Sequence, residues 1–201
     1  MAKSNTKGTN FLVQGSILAI ASIISRIIGL IYRIPMTAII GDVGNNYYAA
    51  AFDIYNVMLI ISSYSLPLAV SKLVSAKMAK GQFKTAYQVF KGALLFALAS
   101  GTIVAVIVFF GASFFTKTLL STPNSIFALR VLAPALVIVA VLGVIRGFFQ
   151  GLGTMMPSAV SQIIEQVVNA IVSVWAAYVL YRVGAKTGAV LGDKEHYAAA
   201  Y

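Results

Sequence analysis

Long apolar stretches alternate with short polar connections along this chain, and the alternation repeats five times. Each stretch exceeds the roughly 20 apolar residues that an α-helix needs to cross a bilayer. The pattern therefore predicts an all-α integral membrane protein whose five-helix membrane domain covers residues 11–182. The helices are expected over residues of about 11–40, 46–76, 86–116, 126–151 and 157–182.

The charges in the connections predict how these helices are oriented. The first connection, residues 41–46, contains no lysine or arginine, whereas the second, residues 77–84, contains three lysines. The positive-inside rule then places the N-terminus, residues 1–10, and the second connection in the cytoplasm. Residues 183–201 are expected to form an external loop and the start of a sixth helix. We therefore expect the chain to be an N-terminal piece of a longer transporter.

The composition narrows the class further. Hydrophobic residues make up 60% of the chain and charged residues only 10%, whereas a soluble domain is about 25% charged. The net charge of +10 would favour nucleic acid as a partner of a soluble protein, but here the lysines cluster at the ends of apolar segments, so no nucleic-acid partner is predicted. The chain has no cysteine, one histidine (His196), no evident carboxylate pair and no glycine-rich phosphate loop. We predict no catalytic residue, no metal site and no cofactor, hence a protein that is not an enzyme.

Arg26 lies about midway along the first apolar stretch. A charge at that depth costs roughly 2.5–3.5 kcal/mol on insertion scales, so we expect Arg26 to face a water-filled cavity or a partner rather than lipid. Arg33 is seven residues, or two helical turns, further on and shares that face. Two guanidiniums on one wall suit a ligand that carries phosphate or carboxylate groups. Alternatively, Arg33 lies near the outer interface and snorkels there.

Three polar residues fall on one face of the second predicted helix: Asn46, Asp53 and Asn56. With the two arginines of the first helix they form the predicted substrate-binding set. If the first two helices pack as an antiparallel hairpin, Asp53 is close enough to Arg33 for an ion pair, which would lower the cost of both charges. The alternative is a static clamp between the two with no role in transport.

The fifth predicted helix carries a polar stripe with spacings of four, three, four and four residues: Ser158, Gln162, Glu165, Asn169 and Ser173, flanked by Ser161 and Gln166. Such a stripe is too costly to face lipid, so we expect it to line a cavity or to couple to an ion. For Gln162 and Asn169 the alternative is hydrogen bonding between helices. Glu165 is less easily explained that way, because a lone carboxylate needs a cation, a proton or an arginine.

The fourth predicted helix carries glycine at every fourth position, at Gly143, Gly147 and Gly151. This spacing predicts close packing against a neighbouring helix. Two polar residues between these glycines are expected to anchor the helix at the cytoplasmic interface: Arg146 and Gln150. Two prolines are predicted hinges because proline removes a backbone hydrogen bond from a helix: Pro35 and Pro67.

Four motifs follow one another along the chain: SRIIG at 25–29, SLPLAVSK at 65–72, RGFFQG at 146–151 and PSAVSQIIEQ at 157–166. Their order resembles the lipid-linked oligosaccharide flippases of the MOP superfamily, in particular the SpoVB/YtgP-like polysaccharide transporters, which are related to the MurJ-type lipid II flippases. The last two motifs are the most specific. The resemblance spans nearly the whole chain but covers only the N-terminal part of such a transporter.

The resemblance implies an alternating-access carrier of the bacterial cytoplasmic membrane, with two helical lobes of the MATE/MOP type around a cationic cavity. Its substrate would be an undecaprenyl-pyrophosphate-linked saccharide, moved from the inner to the outer leaflet for cell-envelope biogenesis. The implied partners are the bilayer, the lipid-linked oligosaccharide and the remainder of the full-length transporter. Arg26 matches the helix-1 arginine that these flippases use in the cavity.

Three positions depart from the MurJ-type pattern. Tyr32 stands near the expected second arginine of helix 1, with Arg33 beside it. Asn46 stands where that branch has an acidic residue, and apolar Leu59 lies near its helix-2 arginine. The departures favour the SpoVB/YtgP-like branch.

Three other functions fit parts of the pattern. A cation or drug antiporter of the same superfamily would depend on Asp53 and Glu165, with the arginines structural. A membrane-embedded enzyme acting on polyprenyl phosphates would return a covalently changed lipid. A scaffold within an envelope-synthesis complex would leave the sidedness of the lipid unchanged.

Overall fold

The computed structural model describes residues 5–63, 65–119 and 121–191, and the regular structure within these ranges is helical without any strand. The all-α prediction is confirmed. The helices are α1 (Asn5–Ser63), α2 (Leu66–Ala79), α3 (Phe83–Phe114), α4 (Ile126–Gly151) and α5 (Met156–Leu191). A π-helical turn, Phe115–Leu119, and a 3₁₀ turn, Pro123–Ser125, lie between α3 and α4.

Four helical stretches in the described part of the chain are long and apolar enough to cross a membrane: Val13–Ala79, Phe83–Leu119, Ile126–Gly151 and Met156–Lys186. The count is one fewer than predicted because the first stretch, 67 residues long, combines the first two predicted helices. Large apolar side chains cover the outside of the bundle, among them Phe110 at 77% and Leu68 at 76% exposure. Such a surface is suited to contact with lipid.

The two halves of the longest helix can be assigned directions from their contacts. The first arm of α1 comprises the residues before Gly41. In this arm Gln14 contacts Met155 and Tyr32 contacts Asn169, so the first arm runs parallel to α5. Beyond the midpoint, Tyr47 contacts Asn124 at the start of α4, and Val74 of α2 contacts Gly151 at its end. The second arm and α2 therefore run parallel to α4. Because a short turn joins α4 to the antiparallel α5, the two arms of α1 must run in opposite directions.

The reversal takes place at Gly41, which has φ 68° and ψ −177° and is the one non-helical residue inside α1. A turn was predicted over residues 41–46, and this is corrected: the backbone from 42 to 46 is helical. Glycine lacks a Cβ and adopts this positive φ without steric cost. A single residue therefore reverses the chain direction, where a six-residue connection was predicted. Pro35 lies within helical backbone, six residues before the reversal.

The predicted second helix is also interrupted before Pro67, because α1 ends at Ser63 and α2 begins at Leu66. The ring of a proline clashes with the carbonyl group four residues earlier, which here belongs to Ser63. At the other end of the chain α5 continues to Leu191, so residues 183–191 are helical and not the predicted external loop. The predicted start of a sixth helix lies outside the described residues.

Helix α4 is central to the packing. Small residues of α2, α3 and α4 form one core cluster that includes Val74, Ala97 and Ala140, and a second cluster joins α1, α3 and α4 around Leu129 and Leu136. The glycine repeat of α4 faces α2. Its three members all approach that helix: Gly143 and Gly147 at Pro67, and Gly151 at Ser71 and Val74. Small residues allow this approach, which holds α2 and α4 together.

Candidate functional site

A cavity of about 280 Å³ lies between the first arm of α1, α4 and α5. All of its lining side chains are polar, in a chain that is 60% hydrophobic. They are Ser22, Ser25, Arg26, Arg146, Gln162, Glu165 and Gln166. Because polar side chains at membrane depth are costly when they face lipid, this concentration of polar groups suits a cavity that holds water.

Helical periodicity brings these residues together. On α1, Ser22 and Arg26 are four residues apart, and on α5, Gln162 and Glu165 are three apart, so each pair faces the same side of its helix. The Ser22 hydroxyl donates to Gln162 Oε1 at 3.2 Å and joins the two helices at the cavity. The polar stripe predicted on the fifth helix therefore contributes three residues to the lining.

Arg146 and Glu165 form an ion pair across the cavity wall, between α4 and α5. The Arg146 Nε also donates to Ser161 Oγ at 3.0 Å, and the Ser161 hydroxyl donates to the Ser158 carbonyl oxygen at 2.8 Å. The guanidinium of Arg146 thus pairs with a carboxylate of α5, and its anchoring at the cytoplasmic interface stays a prediction. A short turn joins α4 to α5, which places residues shortly before it opposite residues shortly after it. An arginine shortly before the turn and a single carboxylate shortly after it, Arg146 and Glu165, were the signal in the sequence for this ion pair.

Arg26 has a different environment from Arg146. Its side chain is exposed at the cavity, and it makes no hydrogen bond or ion pair with any residue in the described ranges. The neighbouring Ser25 Oγ is buried without a hydrogen-bond partner. The lining thus holds two guanidiniums and one carboxylate, which leaves one net positive charge. An oxyanion is the ligand that such a set accepts.

The structure does not bring four of the predicted substrate-binding residues into this cavity: Arg33, Asn46, Asp53 and Asn56. The ion pair predicted between Arg33 and Asp53 is wrong, since within the described residues the only ion pair is that of Arg146 with Glu165. Asp53 is exposed because its neighbours Ile54 and Tyr55 are buried in the core. A role of these four residues in binding substrate stays a prediction.

The two ends of the α5 stripe have other contacts. Asn169 Nδ2 donates to the Tyr32 hydroxyl at 3.2 Å, and the Ser173 hydroxyl donates to Asn169 Oδ1 at 2.9 Å. Ser158 is fully buried, and its hydroxyl donates to the Arg146 carbonyl oxygen at 3.3 Å. Asn169 therefore bonds between helices, which was the alternative considered for it.

A second cavity, of about 310 Å³, lies between both arms of α1, α4 and α5. It is slightly larger than the polar cavity, but most of its lining is apolar or aromatic, including Met36, Tyr48 and Leu132. None of its lining residues is charged, so it does not suit an ionised ligand. Within the described residues no group of three or more histidine, cysteine, aspartate or glutamate side chains could hold a metal ion.

Comparison with known proteins gives one family. The family model described as "Polysaccharide biosynthesis protein" matches residues 11–192. The chain is 31% identical over 181 residues to "Lipid II flippase MurJ" of Bacillus subtilis (strain 168), a match of 86% of this chain and 33% of that protein. It is 30% identical over 159 residues to "Stage V sporulation protein B" of the same organism, covering 79% of this chain and 31% of that protein.

A third relative, "Uncharacterized membrane protein YabM" of Bacillus subtilis (strain 168), is 28% identical over 179 residues, which is 88% of this chain and 32% of that protein. The chain thus spans about a third of the length of the curated relatives it matches. No solved structure matches it. The identities to the first two relatives are nearly equal, so the preference for the SpoVB/YtgP-like branch stays a prediction.

Proposed function

We propose, on the premise that this chain belongs to the polysaccharide biosynthesis protein family, that it forms part of a membrane carrier that flips a lipid-linked saccharide. The similarity to a lipid II flippase supports this class of carrier. The apolar helices place the chain in a membrane, and the relatives indicate the bacterial inner membrane. The N-terminus is proposed to be cytoplasmic.

The observation that carries this proposal is the environment of Arg26. Its guanidinium stands in an all-polar cavity and has no partner among the described residues. An unpaired charge within an apolar helix costs free energy of insertion, and binding of an anion would offset this cost. A guanidinium presents a planar fork that matches the oxygens of a phosphate, so the pyrophosphate of a lipid-linked saccharide is the proposed ligand.

The physical task of the carrier is to move a charged head group through a region without water. Transfer of an ionised group into hydrocarbon is prohibitive, whereas a polyprenyl tail is soluble there. The polar cavity would hold the head group while the tail stays in the lipid. Exposure of the cavity first to the inner and then to the outer leaflet would complete the transfer.

The proposal is tested by flipping of a fluorescent undecaprenyl-pyrophosphate saccharide in proteoliposomes that contain the protein produced from its complete reading frame. Arg26→Ala is expected to lower the flipping rate at least tenfold, because one charge-assisted contact contributes about 1.5–3 kcal/mol. Arg130→Ala is the matched control, since Arg130 is exposed on α4 beside the Phe109 ring and does not line the cavity. Equal rates for the two variants would contradict the proposal.

The same preparation separates the rival functions. A cation antiporter needs a carboxylate that is free to bind cations inside the cavity; Glu165 is paired with Arg146, and Asp53 does not line the polar cavity. Cation efflux that survives Arg26→Ala and is lost in Glu165→Gln would nevertheless favour the antiporter. Recovery of a covalently changed lipid would favour an enzyme, and recovery of the unaltered lipid would exclude that reaction.

A further inference from the structure

The ion pair of Arg146 and Glu165 lies in the wall of the cavity that also contains Arg26. We propose that Arg146 is a second phosphate-binding residue. Glu165 forms an ion pair with its guanidinium only until an anionic head group displaces the carboxylate. This inference rests on the proposed function, because it adds a binding residue and a displaceable carboxylate to the same site.

Arg146 has a second contact that can hold its orientation when Glu165 leaves. Its Nε donates to Ser161 Oγ, and the Ser161 hydroxyl is in turn fixed by donating to the Ser158 carbonyl oxygen. A guanidinium has five N–H donors, and the contacts with Ser161 and Glu165 engage only the Nε and one terminal nitrogen. The remaining donors allow a phosphate to bind before the carboxylate leaves.

The two partners differ in how freely they can move. The Arg146 side chain is 20% exposed and is held by Ser161, whereas the Glu165 side chain is 41% exposed and has no other partner that holds its carboxylate among the described residues. The carboxylate can therefore turn into the water of the cavity while the guanidinium stays in place. This asymmetry is what a displaceable carboxylate and a fixed guanidinium require.

The charges of the cavity favour the exchange. With Glu165 in place, Arg146 is neutralised and only Arg26 attracts an anion. A pyrophosphate carries two phosphoryl groups, so it can engage one guanidinium with each, and both contacts would be charge-assisted. Without a substrate, an unpaired Arg146 would be a costly partly buried charge, and Glu165 removes that cost.

The affinity for inorganic pyrophosphate provides the first test, measured by calorimetry on the detergent-solubilised protein from its complete reading frame. Glu165→Gln should bind pyrophosphate about two- to fivefold more tightly, because an ion pair of this exposure is worth no more than that factor. Adding Arg146→Ala to Glu165→Gln should weaken binding about tenfold or more relative to Glu165→Gln alone. In this comparison no carboxylate is left unpaired, and the thermal unfolding of each variant shows whether it is folded.

A spectroscopic signal tests the displacement itself. On addition of pyrophosphate, the infrared carboxylate band of Glu165 should shift as the carboxylate loses its guanidinium, and the shift should be absent in Glu165→Gln. The inference is overturned if no such band changes in the wild type. It is also overturned if the double variant binds pyrophosphate as tightly as Glu165→Gln, because Arg146 would then serve only to pair with Glu165.

The failure of this inference is distinguishable from failure of the proposed function. If Arg26→Ala abolishes pyrophosphate binding but the Arg146 and Glu165 variants change nothing, only the inference is overturned. If Arg26→Ala leaves both pyrophosphate binding and flipping intact, the proposed function is overturned, and the inference with it. Arg130→Ala controls for the general loss of one positive charge and should bind as the wild type does.

Discussion

Gly147 of α4 lies directly against Pro67 of α2: a Cβ built on the glycine would be 2.5 Å from the Pro67 carbonyl oxygen and 2.9 Å from its Cα. Both of these atoms belong to the backbone, so no side chain can turn away to make room. The backbones of α2 and α4 therefore meet at this point, next to the break between α1 and α2. Because Arg146 precedes Gly147, this contact also fixes the backbone from which the Arg146 side chain extends.

Gly147→Ala should lower the stability of the bundle by about 1–3 kcal/mol, because an added methyl group forces two packed backbones apart. The thermal unfolding midpoint of the purified protein is the measurement. Gly92→Ala is the control, since Gly92 lies in α3 with nothing within 4 Å of its ideal Cβ. That variant should be unchanged or slightly more stable, as alanine is the better helix former. Similar losses in both variants would contradict the close approach.

Gly41→Ala should destabilise the reversal of α1 by about 1–3 kcal/mol, the usual cost of a non-glycine residue in a sparsely populated backbone region. The cost would come from the backbone alone, because nothing lies within 4 Å of the ideal Cβ. Gly15→Ala, also without neighbours but inside helical backbone, should cost nothing. If Gly41→Ala unfolds at the same temperature as Gly15→Ala, the positive φ of 68° is not required.

The Gln14 side chain caps the start of α5, where Oε1 accepts a hydrogen bond from the Met155 N–H at 2.8 Å. Gln14→Leu should cost about 1 kcal/mol, because a donor near the helix N-terminus loses its acceptor. Gln14→Glu keeps the acceptor and adds a negative charge that the helix dipole favours, so its stability should be retained. Chemical unfolding of both variants, followed by circular dichroism, provides the test. A larger loss for the glutamate variant would refute the capping role.

Arg26→Leu should separate stability from transport. It removes a charge that has no partner among the described residues, so the unfolding temperature should stay the same or rise while flipping is lost. Arg146→Leu should instead lower the unfolding temperature slightly, because Ser161 and the partly exposed Glu165 both lose their contact with the guanidinium. Both variants can be compared in one thermal series. A marked loss of stability in Arg26→Leu would show that Arg26 has a structural partner.

Helical periodicity identified correctly those residues whose role depends only on the face of their own helix. The glycine repeat of α4 indicated a packing face, and the structure places α2 there. The stripe on α5 indicated a cavity-facing side, and Gln162, Glu165 and Gln166 line the polar cavity. These residues could be identified because a polar side chain in an apolar helix has few places to go, whichever helix lies opposite.

The sequence was less informative about which residues contact each other across helices. Arg33 and Asp53 were matched by charge and depth, yet no ion pair joins them, since Asp53 projects away from a face that is buried in the core. Arg146 was interpreted from its nearness to the membrane surface, but its guanidinium reaches Glu165 on α5. A side chain's position along its own helix does not say which way the neighbouring helix is turned.

The sequence by itself determined that the chain is helical, that its helices are apolar enough for a membrane, and that Arg26 and Glu165 are unusual within them. These properties follow from composition and from local periodicity, which depend on no distant residue. The tertiary structure alone decided that the chain reverses at Gly41, that Arg146 pairs with Glu165, and that Arg26 shares their cavity without a partner among the described residues. Those outcomes depend on the rotation and spacing of packed helices, which are set by contacts between residues far apart in the chain.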